Sequence, residues 1–249
     1  MKNFIIRSCQ VILIASSLVA INSCKKDNNS PENPFNGKTK ANFNNSMTYG
    51  TVTDQDGNTY KTITIGTQTW MAENLRTTHY QNGDAIPTYK EITGGINNRT
   101  GAYCNYNNWS STDSIATYGR LYNWFAVIDN RDIAPKGWHI PTEAEWMILT
   151  AYLGGNLVAG GKLKESGTTH WETPNTGATN QSGFTALPGG FCYFNGTSSH
   201  IGLHGSFFSS TEGIFNGALV IVVNNVVNNC YIANWDLTAG CSVRCVKDL

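Results

Sequence analysis

Five histidines and seven cysteines are the side chains of this chain most suited to metal binding or nucleophilic chemistry. His200 and His204 stand four apart, a spacing that puts both on one face of a helix, as zinc sites require. Their Gly- and Ser-rich surroundings read as loop, and no Glu or Cys stands in register, so no metal site is expected. Asp54, Asp56, Gly57 and Asn58 resemble half of a calcium loop, but Ile65 stands where the closing bidentate Glu belongs. That stretch reads as a turn. Glu143 and Glu145 are two apart and do not face each other on a helix. His139 beside Trp138 reads as a buried, hydrogen-bonded histidine. No Gly-x-Ser-x-Gly, P-loop or dinucleotide fingerprint is present. No catalytic residue and no cofactor is therefore expected. Recognition is the chemistry that remains. Tyr103, Tyr106, Trp109, Phe191, Tyr193, Phe194, Phe207 and Phe208 lie among Asn and Ser. Pyranose rings stack on aromatic faces while amides bind their hydroxyls. Tyr106, Trp109, Phe207 and Phe208 are the candidate ligand-binding residues. The same aromatics equally suit the core of a loop-rich domain.

Composition narrows the classes. The chain has 249 residues, 17 Lys and Arg against 17 Asp and Glu, and no net charge. A duplex nucleic-acid binder needs a cationic excess, so nucleic acid is not an expected partner. Charged residues are 14%, aromatics 11%, and asparagines number 29. A coiled coil does not tolerate so much Gly, Asn and aromatic.

Lys2 and Arg7 precede an apolar run from Val11 to Ile21. That run is far shorter than the ~20 residues of a spanning helix and reads as a signal-peptide core. It ends in Ile21-Asn22-Ser23-Cys24, which resembles a bacterial lipobox. The implied chemistry is cleavage after residue 23 and lipidation of Cys24, an anchor worth ~0.8 kcal/mol per buried methylene. The expected organisation is a signal peptide over 1–23, a lipidated cysteine and flexible polar tether over 24–48, and one domain over 49–249. The expected location is the cell envelope, through a lipid anchor, in the outer membrane and at the surface. The charged run behind Cys24 resembles the surface-export signals of Bacteroidetes lipoproteins.

The elements that must position these residues follow from periodicity and caps. Thr51 to Gly66 alternates on both sides of an Asp-Gly turn and predicts a hairpin. Gln68 to Leu75 predicts a second strand and turn. Leu121, Trp124, Phe125 and Ile128 predict a helix over 118–129. Thr142 and Glu145 form a capping box opening a second helix, with Trp146, Leu149, Thr150 and Leu153 on one face and Gly154-Gly155 ending it. Gly160-Gly161 reads as a turn. Strands are predicted over 184–194, with a Pro-Gly-Gly interruption, and over 207–212, 218–223 and 242–246. Helices in the first half and strands in the second predict an α+β class.

Several segments together carry a family likeness: 52–75, Tyr103-Cys104, 118–124, 134–142, 160–164, 180–190, 209–212 and 242–248. In that order they closely resemble the Fibrobacter succinogenes major paralogous domain, common in Bacteroidetes lipoproteins. Phe207 and Phe208 depart from the Trp pair usual there, and Cys192 and Cys241 replace residues that are usually not cysteine. The run His139 to Trp146 also resembles the formylglycine-generating enzymes. That likeness implies a C-type-lectin-like single domain with two main helices, short antiparallel strands and long loops. The family positions of Cys104 and Cys245 imply a disulfide between them. Cys192 is paired with Cys241, with Cys230 as the rival for either place. A loop of ~140 residues closed in this way would stabilise by about 4–5 kcal/mol. Cys241 and Cys245 invite comparison with the copper-binding cysteine pair of the formylglycine-generating enzymes. On a strand they stand about 13 Å apart, too far to share one metal or bond. The expected role is non-enzymatic ligand binding or adhesion, toward a glycan or a surface protein. The alternatives are a formylglycine-generating-type oxidase and a structural subunit of a surface assembly. Asp113-Ser114-Ile115 resembles a short O-glycosylation acceptor.

Overall fold

The structure, a computed structural model, describes residues 32–92 and 98–249, so the signal peptide and Cys24 lie outside the described residues. Residues Glu32–Leu249 form one compact unit of mixed helix and sheet, with most strands paired antiparallel. Among the described residues, no helix is long and apolar enough to cross a membrane.

The hairpin forms as its alternation predicts. β1 (Gly50–Thr53) pairs antiparallel with β2 (Thr59–Ile65), and β2 with β3 (Gln68–Met71). Asp54 holds the turn: its carboxylate accepts the Asp56 and Asn58 amides, the Asn58 side chain and the Tyr60 hydroxyl. β12 (Val246–Lys247) and β6 (Trp138–His139) complete a five-stranded sheet in the order β1-β2-β3-β12-β6. The predicted strand over 242–246 shrinks to those last residues, because Ser242 is tied instead to the next sheet through a bridge with Phe207.

β9 (His204–Glu212), β10 (Gly217–Asn224) and β11 (Cys230–Asp236) make a second sheet with β10 in the middle. β10 reads Ala-Leu-Val-Ile-Val-Val, the near-continuous apolar run of a strand buried on both faces. Val220 and Val222 enter one core with Phe208, Tyr122 and Trp124. Ile221 and Val223 enter the other with Phe207, Trp70, Trp146 and Phe184. Two further pairs curl beside these sheets: β4 (Tyr103–Cys104) with β5 (Leu121–Tyr122), and β7 (Phe191–Cys192) with β8 (Ser198–Ser199).

Among the described residues, four α-helices pack around them. α1 (Thr112–Tyr118) is capped by Ser111, and α2 (Trp124–Val127) by Asn123. The predicted helix over 118–129 is thus mostly wrong. Gly119 has φ +73°, and Leu121–Tyr122 pair with Tyr103–Cys104 as strand, so only one short turn stays helical. α3 (Glu143–Tyr152) carries the full capping box and buries Trp146, Leu149 and Thr150 as predicted. α4 (Asn156–Leu163) replaces the expected turn at Gly160-Gly161. A Cβ on Gly160 would stand 2.1 Å from the Asn229 carbonyl oxygen, so these glycines serve close backbone packing. The predicted strand over 184–194 survives only as β7, because Thr185 adopts φ +56° to hydrogen-bond Asn180.

The expected tether differs too. Residues 32–48 lie on the domain: Asn33 and Asn36 side chains hydrogen-bond the β1–β2 turn, the Asn42 amide donates to Glu165 at 2.6 Å, and Asn44 reaches the Asn180 carbonyl. Phe43 and Met47 pack against the second core. The segment buries little by itself, which makes it look unfolded in composition, but its amides find partners in the folded chain.

Candidate functional site

A cleft of about 340 Å³ opens beside Tyr89, Tyr103 and Trp109. One wall is β4 and the turn after it, from Tyr103 to Ser110, and the base is Thr88–Lys90. The opposite wall is Asn195-Gly196, at the tip of the hairpin between β7 and β8. Thr88 and Tyr103 are shared with a second, shallower depression of about 450 Å³ that continues past Pro87 to His79 and Glu91.

The local sequence makes this wall rigid. Asn107 and Asn108 both have positive φ, +45° and +56°, a conformation asparagine tolerates better than most residues. The Asn105 side chain donates to the Trp109 carbonyl at 2.7 Å and accepts from Arg120. Arg120 in turn lies 4.8 Å from the Tyr103 ring centre. Trp109 is half-buried, with Tyr106 5.1 Å and Tyr118 5.7 Å from its ring. What stays open to a ligand is the edge of Trp109, the half-buried Tyr103, the exposed side chains of Asn108 and Ser110, the Asn195 Nδ2 and the Lys90 ammonium. The arrangement offers stacking and amide hydrogen bonds. Cys104 also borders it. Its hydrogen bond to Cys192 and its burial push that thiol well above the ordinary range.

Of the four candidate ligand-binding residues, Trp109 lines the cleft. Tyr106 is buried beneath it, its hydroxyl accepting the Ile201 amide at 3.3 Å. Phe207 and Phe208 are a correction. They are 1% and 0% exposed, on opposite faces of β9, and each fills one of the two cores. A buried central strand offers no aromatic face to a ligand. Tyr89, Lys90 and Asn195 come from loops far apart in sequence, with no local pattern to mark them.

The expected cysteine pairings are also corrected. Neither Cys104 with Cys245 nor Cys192 with Cys241 is joined in the structure, where all five described cysteines are buried. Cys104 packs with Cys192, Leu121 and Tyr89, whereas Cys245 lies in the first core. Cys192 stands opposite Gly240, so its neighbour Cys241 points to the other face, beside Tyr122. Cys230 sits in the second core.

His200 and His204 do approach, with ring centres 4.6 Å apart, but through a turn and the start of β9. His200 also stacks on Phe191 at 5.0 Å, and burial together with His200 lowers the His204 pKa. Among the described residues no cluster of three His, Cys, Asp or Glu side chains could hold a metal. His139 is half-exposed and hydrogen-bonded at 2.7 Å to both Asp248 and Glu145. Burial works to lower its pKa, and these two carboxylates outweigh that and raise it.

The motif segments do their work elsewhere, in the interior. Arg244 is fully buried. Its Nε donates to Asn74 Oδ1 at 2.6 Å, Nη1 to the Met71 and Phe184 carbonyls, and Nη2 to the Thr185 carbonyl. Burial lowers its pKa to about 9, so it remains a cation at neutral pH. Lys164 is likewise buried, its ammonium donating to the carbonyls of Thr176, Asn224 and Val227. Burial brings its pKa to about 8.

A chain of short antiparallel strands, few helices and charged interior ties is the class of protein these features define. The sequence profile described as the Fibrobacter succinogenes major domain matches residues 63–247, and the chain belongs to that family. No curated protein and no solved structure matches the chain.

Proposed function

We propose that this is a non-enzymatic, lipid-anchored cell-envelope protein whose domain binds a neutral glycan in the cleft between Tyr103–Ser110 and Asn195-Gly196. The observation that carries the reading is the cleft's lining: aromatic rings beside amides and hydroxyls, with one cation. Sugars are bound in this way, by stacking on a ring while amides take the hydroxyls. The zero net charge agrees, since it gives an anionic polymer no long-range attraction. The mixed architecture, with binding surface on long loops over a curled antiparallel sheet, supports a C-type-lectin-like arrangement. The lipobox-like run ending at Cys24 supports the anchor and an outer-membrane, surface-facing location.

A glycan array probed with the full chain and with Trp109→Ala tests the binding role. Losing one stacking ring is expected to weaken binding about tenfold or more, since 1.4 kcal/mol is a factor of ten. Phe215→Ala, at a 92% exposed loop residue outside the cleft, is expected to bind like the wild type. Silence of the wild-type protein toward all polysaccharides, or equal binding by Trp109→Ala, overturns the glycan reading. Growth of the organism with radiolabelled palmitate tests the anchor, which requires label lost on Cys24→Ser.

A further inference from the structure

We propose that Cys104 and Cys192 form a disulfide that joins the two walls of the cleft. The argument begins with register. Cys104 stands opposite Leu121 in the β4–β5 pair, and Cys192 opposite Gly240 in an antiparallel bridge. Residues directly opposite share a face of a sheet. Gly240 next to Cys241, and Cys241 opposite Tyr122, put Cys241 on the reverse face. Cys104, Leu121 and Cys192 therefore gather on one side with Tyr89, and Cys241 gathers on the other with Tyr122.

The missing side chain of Gly240 closes the gap. A Cβ there would stand 2.5 Å from the Cys192 sulfur and 3.4 Å from the Leu121 Cβ. The Cys192 sulfur thus lies over Gly240, on the side of Leu121, whose cross-strand partner is Cys104. Cys104 and Cys192 share one buried cluster with Tyr89 and Leu121, and Cys192 is the main influence raising the Cys104 thiol's pKa. Of the other three, Cys230 borders Asn156 and Cys245 lies in the first core, while Cys241 is near enough to feel Cys192 electrostatically but stands on the reverse face of its strand. Register and a bare glycine select one pair out of five cysteines.

The oxidant is an external disulfide, supplied by a dithiol–disulfide oxidoreductase or by glutathione disulfide. The Cys104 thiolate attacks one of its sulfurs, forming a mixed disulfide and expelling one thiolate. The Cys192 thiolate then attacks the Cys104 sulfur and expels the second. The two cysteine protons end on the two released thiols, and the external disulfide takes up the two electrons. Both thiols are buried in the folded chain, so the exchange belongs to folding, before the curled strands close. Cys104 adjoins Asn105 on one wall, and Cys192 opens the hairpin that carries Asn195 on the other. The bond therefore fixes the width of the cleft. This consequence, unlike the bond, rests on the proposed binding role.

The test is a peptide map of the full chain, refolded with glutathione disulfide, then alkylated in denaturant without reductant and digested. The expected product is a Cys104–Cys192 linked peptide, two hydrogens lighter than its parts, with Cys230, Cys241 and Cys245 alkylated. Full alkylation of Cys104 or Cys192, or linkage of either to another cysteine, overturns the proposal. Melting gives a second readout. Cys104→Ser, Cys192→Ser and the double variant should share one Tm, about 5–15 °C below the oxidised wild type. Dithiothreitol should bring the wild type down to the same value. A Cys241→Ser variant should keep its sensitivity to dithiothreitol; if it loses it, Cys241 is a partner and the proposal fails. Glycan binding, measured with and without dithiothreitol, is read separately, so a linked but non-binding protein refutes only the binding role.

Discussion

Replacing Arg244 by Met tests whether buried charge organises this fold. Met keeps most of the length and apolar stem of Arg and removes the guanidinium. Four acceptors lose their donor: Asn74 Oδ1 and the carbonyls of Met71, Phe184 and Thr185. A hydrogen bond from a charged donor contributes about 1.5–3 kcal/mol. Four of them exceed the true loss, because the variant no longer has to bury a cation. Removing one partner from a buried charged network costs about 3–5 kcal/mol after that offset. Arg244 also lies 4.5 Å from the Phe184 ring centre and is attracted by the charge of buried Glu73, and both interactions disappear. A loss of about 3–5 kcal/mol is therefore expected. Urea unfolding followed by tryptophan fluorescence reads it. With a slope of about 2–3 kcal/mol/M for a domain of this size, the midpoint should fall by roughly 1–2.5 M. Arg244→Lys keeps the charge but not the planar fork, and should recover less than half of the loss. Lys40→Met, which breaks an exposed ion pair with Asp113 at 3.3 Å, should stay within about 0.5 kcal/mol of the wild type. A shift below about 0.4 M for Arg244→Met at unchanged slope would refute the reasoning.

Other outcomes follow from the same interior. Gly160→Ala gains about 1 kcal/mol of helix propensity on paper. Its Cβ would meet the Asn229 carbonyl oxygen at 2.1 Å, so the net effect should be a loss of 2 kcal/mol or more by the same urea assay. A stabilised Gly160→Ala would show that α4 does not pack on 228–229. His139 has a raised pKa, so its pairing with Asp248 and Glu145 stabilises fully below about pH 6.5 and fades as pH rises through the folded value. Glu145 has a lowered pKa, because hydrogen bonds from Thr142 and His139 outweigh its burial. Its contribution is present above about pH 4.5 and is lost as pH falls through the lower folded value. His139→Gln should therefore cost more at pH 6 than at pH 8.5, by up to about 1 kcal/mol given the exposure of the pair. An equal cost at both pH values would contradict the charged pairing. Lys164→Met should destabilise strongly, as three carbonyl acceptors lose their common donor.

What could be read from the sequence was what is local. The capping box of α3 needs only Thr142 and Glu145, and the first hairpin needs only alternation and an Asp-Gly turn. Both stand in the structure. Leu121, Trp124, Phe125 and Ile128 misled because a helical spacing of four side chains competes with pairing to a distant strand, and Tyr103–Cys104 won. Gly160-Gly161 read as a turn because glycine is a poor helix former, whereas the tertiary contact that requires it is almost seventy residues away. β11 carries Asn234 and Trp235 amid exposed positions, the mixed pattern of an edge strand, and gave no clear signal. The cysteines failed for a related reason. Which face each one takes depends on strand register, and register is not written in the spacing of Cys104, Cys192 and Cys241. In the cleft, Trp109 was legible by type. Its opposite wall at Asn195 was not, since only the curl of the sheet brings it there.

The division between frame and cleft bears on what family membership can say. Arg244, Lys164 and His139 all belong to segments that carry the family likeness. Each joins stretches remote in sequence: Met71 and Asn74 to Phe184-Thr185, Thr176 to Asn224 and Val227, Glu145 to Asp248. A domain with so many short strands and loops has little helix or long sheet to hold it. Charged ties that satisfy several carbonyls at once supply that order, and they demand those residue types in those places. The cleft obeys no such demand. Apart from Tyr103 and Cys104, its lining at 88–90, 105–110 and 195–196 falls outside every one of those segments. Some of its turns are satisfied locally, as Asn105 is by Trp109 and Arg120, and others are tied at a distance, as the Tyr89 hydroxyl is to the Thr238 carbonyl and the Asn107 amide to Ser198. The buried charged ties hold the frame, and the proposed binding role rests on the loops that the frame carries.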